Sequence, residues 1–331
     1  MRISTHTIAR RLTPGLILGF VVLIGLAVLG DLREVSKSLL SFKWEYFLYA
    51  IGLTLVNYIL RFFKWHYYLG QVGVRGLSWA QSLRLFVGGF PLAVTPGKIG
   101  EALKGVWLNR MCRLPVGRGV SVVLAERISD GLAVLILSTL GVVAYPQYWP
   151  AFVTILVMLL AIVVLSQIRP AALFLLSLGE KLPLVNKFAH SLYEFYEGSF
   201  ALFRPGATLI AVLLGTISWL AEGLGFYMIL LGLGMAPSLE LMASAIFILS
   251  FSTVVGAASA LPGGLGAAEA SIAGMLAFIV REAPATATSA TLLIRLATLW
   301  FGVALGLITW TFSPDLLGMH SEPEAAAGAQ S

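Results

Sequence analysis

Apolar residues dominate this chain in long runs, and the places where the runs stop predict its elements. Full spans are predicted at about 16 to 29, 44 to 69, 119 to 144, 150 to 167, 208 to 232 and 286 to 312, since roughly 20 apolar residues cross the hydrocarbon layer. Two further stretches are apolar but broken. Residues 80 to 110 are interrupted by Thr95-Pro96-Gly97-Lys98-Ile99-Gly100-Glu101, and residues 239 to 280 by Leu261-Pro262-Gly263-Gly264-Leu265-Gly266 with Glu269 just beyond. Proline removes a backbone donor and glycine loosens a helix, so such breaks at membrane depth need protein or a water-filled cavity around them. Each is expected to form a helical hairpin that enters and leaves on one side. The region 168 to 206 has a different pattern: Phe188, Leu192, Phe195 and Leu202 alternate with polar residues and predict an amphipathic helix on the cytoplasmic surface, linking two halves.

Composition agrees with this layout. The chain of 331 residues is 58% hydrophobic and only 11% charged, where soluble domains carry about 25% charge. The predicted fold is all-α and polytopic, a single membrane domain over 1–312 followed by an Ala/Glu/Gly-rich disordered tail at 313–331. One cysteine, Cys112, excludes an internal disulfide, and His6, His66, His190 and His320 lack metal-ligand spacing, so no metal or cofactor is expected.

Charge sets the orientation. Arg10-Arg11 precede the first run without an evident cleavage site, which predicts an uncleaved helix with a cytoplasmic N-terminus. Lys98, Lys104, Arg110, Arg113 and Arg118 form the most basic connection and are placed inside. Only Arg281 and Arg295 follow Arg204, so the second half is oriented by counting spans. That count puts both termini inside, 145–150 and 234–238 outside, and makes the two halves inverted in topology.

The halves also match in detail. Arg127 follows Glu101 by 26 residues and Arg295 follows Glu269 by 26. Arg61, Leu69 and Gly73 match Glu222, Leu230 and Gly234 at an offset of 161, which grows to 166 at the prolines and 168 at the carboxylates. A diverged duplication accounts for this, with repeat one at about 44–144 and repeat two at about 207–312. Inverted repeats with broken helices bind ligands near the midplane. Helix starts after Pro96-Gly97 and Pro262-Gly263-Gly264 point N–H groups and positive dipole ends at an anion, with Lys98 assisting. Glu101 and Glu269 cannot bind an anion, so they are assigned to Arg127 and Arg295 as ion-pair partners. These pairs either serve a ligand or fix helix packing. Arg61, Glu126, Asp130 and Glu222 are supporting candidates, although Arg61 and Lys64 have an equally good reading as side chains reaching the interface.

Gly88-Gly89-Phe90 through Glu101, then Ala125-Glu126-Arg127-Ile128-Ser129-Asp130, then Leu261 to Gly266 with Glu269 resemble the lysylphosphatidylglycerol synthase transmembrane-region family, the flippase-like domain, over roughly 15 to 312. The resemblance implies movement of lipids or lipid-linked precursors between leaflets. In multiple peptide resistance proteins this domain carries aminoacylated phosphatidylglycerol and is joined to a soluble transferase, for which this sequence has no counterpart. The implied partners are lipids with anionic or phosphate headgroups and not nucleic acid; enzymes of lipid or glycan synthesis and a second copy of the chain are further candidates. Gly15/Gly19 and Gly302/Gly306 have the spacing for close helix contacts. The competing class is a lipid- or glycan-modifying membrane enzyme, or a non-catalytic partner of one. Against an enzyme, there is no Asp-x-Asp pair and no Cys/His nucleophile arrangement, so no catalytic residue is assigned. The expected location is a bacterial cytoplasmic membrane.

Overall fold

The computed structural model describes residues 30–95, 100–142, 149–180 and 188–317, together with separate positions between 13 and 28. Among these residues every regular element is a helix. A short helix α1 (Leu32–Ser41) leads into α2 (Trp44–Gln71), α3 (Trp79–Gly88), a 3-10 turn at Phe90–Val94, α4 (Leu103–Cys112) and α5 (Val116–Val142). The central segment comprises α6 (Trp149–Gln167), α7 (Arg169–Glu180) and α8 (Ala189–Leu202). The second half runs through α9 (Pro205–Gly232), α10 (Leu239–Ala258), a 3-10 turn at Pro262–Gly264 and α11 (Ala267–Met275). It closes with α12 (Pro284–Arg295), a π-helical turn at Leu296–Trp300, and α13 (Phe301–Thr311).

Local chemistry sets the boundaries. Ser78 and Gln81 form a reciprocal capping box at the start of α3, and the Ser238 hydroxyl accepts the Leu241 N–H at the start of α10. Prolines occupy the first turns of α9 and α12, where a missing N–H costs nothing. Both α4 and α11 with its π-helical extension end at an arginine in the left-handed region, Arg113 (φ 57°) and Arg281 (φ 62°).

Among the described residues, five helices are long and apolar enough to cross a membrane: Trp44–Gln71, Pro205–Gly232, Leu239–Ala258, Pro262–Val280 and Pro284–Thr311. Both arms of the second broken stretch are thus of spanning length, whereas α3 and α4 have 10 residues each and reach only about 15 Å. The 27-residue α5 is also long enough but carries Arg118, Glu126, Arg127 and Asp130. Six of the fourteen positions of the first predicted span lie outside the described residues, as do Pro96, Gly97, Lys98, the linker lysines Lys181 and Lys187, and the tail beyond 317.

The core centres on α2 and α9, which pack along each other. Their boundaries are both 161 residues apart, and each is 28 residues long. At their crossing the buried Asn57 amide donates to the Ser218 carbonyl at 2.9 Å, again across an interval of 161. In the same way α5 and α12 begin 168 residues apart, at Val116 and Pro284.

Three expectations change. The basic connection loses Lys104, which is buried and paired with Glu126 rather than facing the cytoplasm. Among its described residues the amphipathic linker holds two helices, and α8 packs on α5, with Tyr196, Ser199 and Leu202 buried and Phe188 exposed; Gly117 and Gly198 let these helices approach too closely for any side chain. The glycine pairs are used within the chain. A methyl at Gly306 would fall 2.2 Å from Pro91 of the first break, and one at Gly19 would fall 2.4 Å from Trp300.

Candidate functional site

Between α2, α5, α9, α10 and α12 lies a cavity of about 150 Å³, lined by Arg61, Arg127, Trp219, Glu222 and Arg295, with the backbone of Gly263 and Gly264 at one wall. Three guanidinium groups on three different helices face one small space. Each is held from behind. Arg127 donates to both oxygens of Glu101, through Nε at 2.9 Å to Oε2 and Nη2 at 2.6 Å to Oε1. Arg295 Nε lies 2.6 Å from Glu269 Oε1, and its Nη2 donates to the Gly263 carbonyl at 3.1 Å. Arg61 lies 3.6 Å from Asp130 and stacks over the Trp219 ring at 5.8 Å. The carboxylates fix the arginine forks and the open edges remain for a ligand, a division of labour suited to bidentate recognition of phosphate or carboxylate.

Glu101 and Glu269 are themselves buried and are not part of the lining. The 3-10 turn at Pro262–Gly264 presents Gly263 (φ 62°) and Gly264 (φ 68°), conformations only glycine adopts without strain, and Gly264 sits so close to the Gly256 backbone that a side chain would collide with it. Pro262 opens this turn without touching the cavity. The expected dipole site at α11 is corrected by the geometry: Glu269 stands in the first turn of the helix and accepts the Gly266 N–H at 2.7 Å, so the positive end already has its anion. The corresponding first break lies at 96–99, outside the described residues.

Sequence reasoning missed two lysines. Lys64 is fully buried, 2.5 Å from Asp130 Oδ1 and 3.2 Å from the Ser129 hydroxyl, which overturns its reading as an interfacial side chain. Lys104 pairs with Glu126 at 3.2 Å and stands 4.8 Å from the Trp65 ring centre. Glu126 and Asp130, four residues apart on α5, thus serve Lys104 and Lys64, while Arg127 turns toward the cavity. The only signal for either lysine in the chain is a positive charge within an apolar stretch, 66 and 22 residues from its partner.

A second, apolar groove of about 260 Å³ adjoins the cavity and shares Arg127, Trp219, Thr253 and Ala257 with it. Its remaining wall is Val134, Ile155, Met158, Leu159 and Val254 with the small residues Gly131 and Ala258, between α5, α6 and α10, and Asp130 closes it at the end next to Arg127. Met158 is 54% exposed on the outer surface of α6, so the groove reaches the membrane-facing side. A charged chamber joined to an apolar slot has the two-part chemistry of a lipid.

An all-α polytopic membrane protein with broken helices and a buried arginine chamber is the class these features define. The family model for the lysylphosphatidylglycerol synthase TM region matches residues 16–306, and the chain belongs to that family. It is also similar to a UPF0104 membrane protein of Methanothermobacter thermautotrophicus, 28% identical over 269 residues, covering 71% of this chain and 78% of that protein.

Proposed function

We propose that this protein is a flippase-like transporter that moves an anionic phospholipid or lipid-linked precursor between leaflets of the cytoplasmic membrane, without chemically altering it. The observation that carries the reading is the junction at Arg127 and Trp219: one side is a chamber with three arginines, the other an apolar groove open toward lipid. A phosphate enters the first while acyl chains stay in the second, so the charged group never has to enter hydrocarbon alone. Pairing Arg127 and Arg295 each with its own carboxylate, with Arg61 sharing Asp130, keeps the empty site compatible with burial.

In this reading the two halves act as inverted repeats that rock against each other around the chamber. The matched helix boundaries at offsets of 161 and 168 support it. Purified protein in liposomes, challenged with a panel of headgroup-labelled lipids, provides the test. Protection and exposure of the label should change with time for anionic lipids and be abolished by R127Q/R295Q. A new covalent lipid product would instead support the enzyme reading, and no movement of any lipid in the panel would overturn the transporter.

A further inference from the structure

Glu222 stands apart from every other buried charge around the chamber. It lies on α9, is only 7% exposed, lines the cavity, and makes no hydrogen bond or ion pair among the described residues. The other four buried carboxylates are matched: Glu101 with Arg127, Glu269 with Arg295, Glu126 with Lys104, and Asp130 with Lys64. Arg61 is left over on the positive side, sharing Asp130 at the longer distance of 3.6 Å. The charge count therefore closes only when Glu222 is ionised against Arg61. When Glu222 takes up a proton, the described cluster carries one net positive charge.

Resting on the transporter reading, we propose that Glu222 is a proton-binding site coupled to the ligand, so that one proton and one phosphate monoanion occupy the chamber together. An anion arriving at Arg61, Arg127 and Arg295 faces Glu222 across the same small cavity, and two like charges in a low-dielectric space repel strongly. Protonating Glu222 removes that repulsion and leaves Arg61 free to turn its donors to the anion. The described charges of the loaded chamber then sum to zero, as those of the empty one do with Glu222 ionised. A site neutral in both states can be opened to either side in turn without the cost of holding net charge at membrane depth.

The groups facing Glu222 are few. Tyr58 and Arg61 come from α2, Arg127 and Asp130 from α5, and Arg295 from α12 with Glu269 behind it; α10 contributes the neutral Ser252 and Thr253. The other carboxylates among these groups are held by cations, so Glu222 is the one placed to exchange a proton. Its matched position in the first half is Arg61, 161 residues earlier, so the two helices bring opposite charges to the same chamber.

Calorimetric titration of the purified protein with dihexanoyl-phosphatidylglycerol, in buffers of different ionisation enthalpy, counts protons taken up on binding. Above the titration midpoint of Glu222 in the free protein, where the binding measurements are made, the wild type should take up about one proton per lipid, with affinity falling up to tenfold per further pH unit. E222Q, which mimics the protonated acid, should bind with no proton uptake and with little pH dependence, and should retain the wild-type unfolding profile. Lipid binding by the wild type without proton uptake, or undiminished uptake by E222Q, would overturn the coupling while leaving the transporter reading standing. Absence of lipid binding would overturn both. Glycerol phosphate serves as the comparison ligand: equal binding with the same proton uptake would keep the coupling and assign the chamber to a free phosphate ester.

Discussion

Replacing Arg295 with glutamine tests how the chamber is held together. Glu269 has no exposed surface, and its two supports are Arg295 at 2.6 Å and the Gly266 N–H at 2.7 Å. Removing the cation leaves a carboxylate buried with a single N–H. Breaking a buried pair costs about 3 to 5 kcal/mol, and the surviving N–H places R295Q near the lower end, about 3 kcal/mol. The reverse change should cost less. In E269Q the glutamine still accepts a hydrogen bond from Arg295, whose side chain retains the Gly263 carbonyl and borders the cavity, so the loss is that of one charged hydrogen bond, about 2 kcal/mol. The double variant should cost no more than R295Q alone, because the buried charge and its missing partner vanish together. Unfolding by SDS titration in mixed micelles, followed by helical circular dichroism, measures all three. Additive single effects, or a cost below about 1 kcal/mol for R295Q, would show that the pair is not desolvated as described.

Lys64 offers a parallel test: K64M should destabilise by about 3 kcal/mol, since Asp130 keeps only the more distant Arg61, and K64M/D130N should recover much of that loss on the same titration. G306A places a methyl against Pro91 and should cost about 1 to 3 kcal/mol, whereas G274A on α11 has open space around it and should leave the unfolding midpoint unchanged or raised. In a C112S background, a cysteine at Ser238 should react with a membrane-impermeant maleimide added outside and one at Arg110 only from the cytoplasm; labelling of Ser238 from inside alone would contradict the inverted arrangement. R295K should transport anionic lipid more slowly than wild type but faster than R295Q in the liposome assay, because an ammonium cannot bridge Glu269, the Gly263 carbonyl and a phosphate as a forked guanidinium does.

How much of this was legible beforehand depended on whether the signal was local or repeated. Apolar run lengths located the spanning helices Trp44–Gln71, Pro205–Gly232 and Pro284–Thr311 because burial in lipid is a property of each segment alone. The recurrence of a carboxylate and an arginine 26 residues apart was enough to identify both contacts, since one spacing seen twice in matched surroundings leaves few alternatives. Lys64 and Lys104 were misjudged because their partners lie on other helices at unrelated spacings, and a lysine near the end of an apolar run reads as interfacial until its neighbour is seen. The glycine pairs were legible as sites of close approach, but sequence does not say what approaches; Pro91 and Trp300 answer that only in three dimensions. Nor does any pattern announce Trp219 as the shared wall of two cavities.

The contact between Asn57 and Ser218 has a mechanical meaning. Arg61 and Glu222 each lie four residues onward in the chain, about 6 Å along α2 and α9, and because these helices run antiparallel (Gly215 faces Lys64, Gly225 faces Ala50) they flank the contact on opposite sides. In the proposed transport cycle this contact at matched positions would serve as a fulcrum: if the halves tilt, displacement grows with distance from it. The charged side chains on the two central helices therefore have short lever arms and move little. The wall segments at Phe90–Val94 and Pro262–Gly264, carried on other helices, have longer ones. Tilting about this point would change which face of the chamber is open while holding its central charges almost still, so that the ligand keeps its place and the protein moves around it.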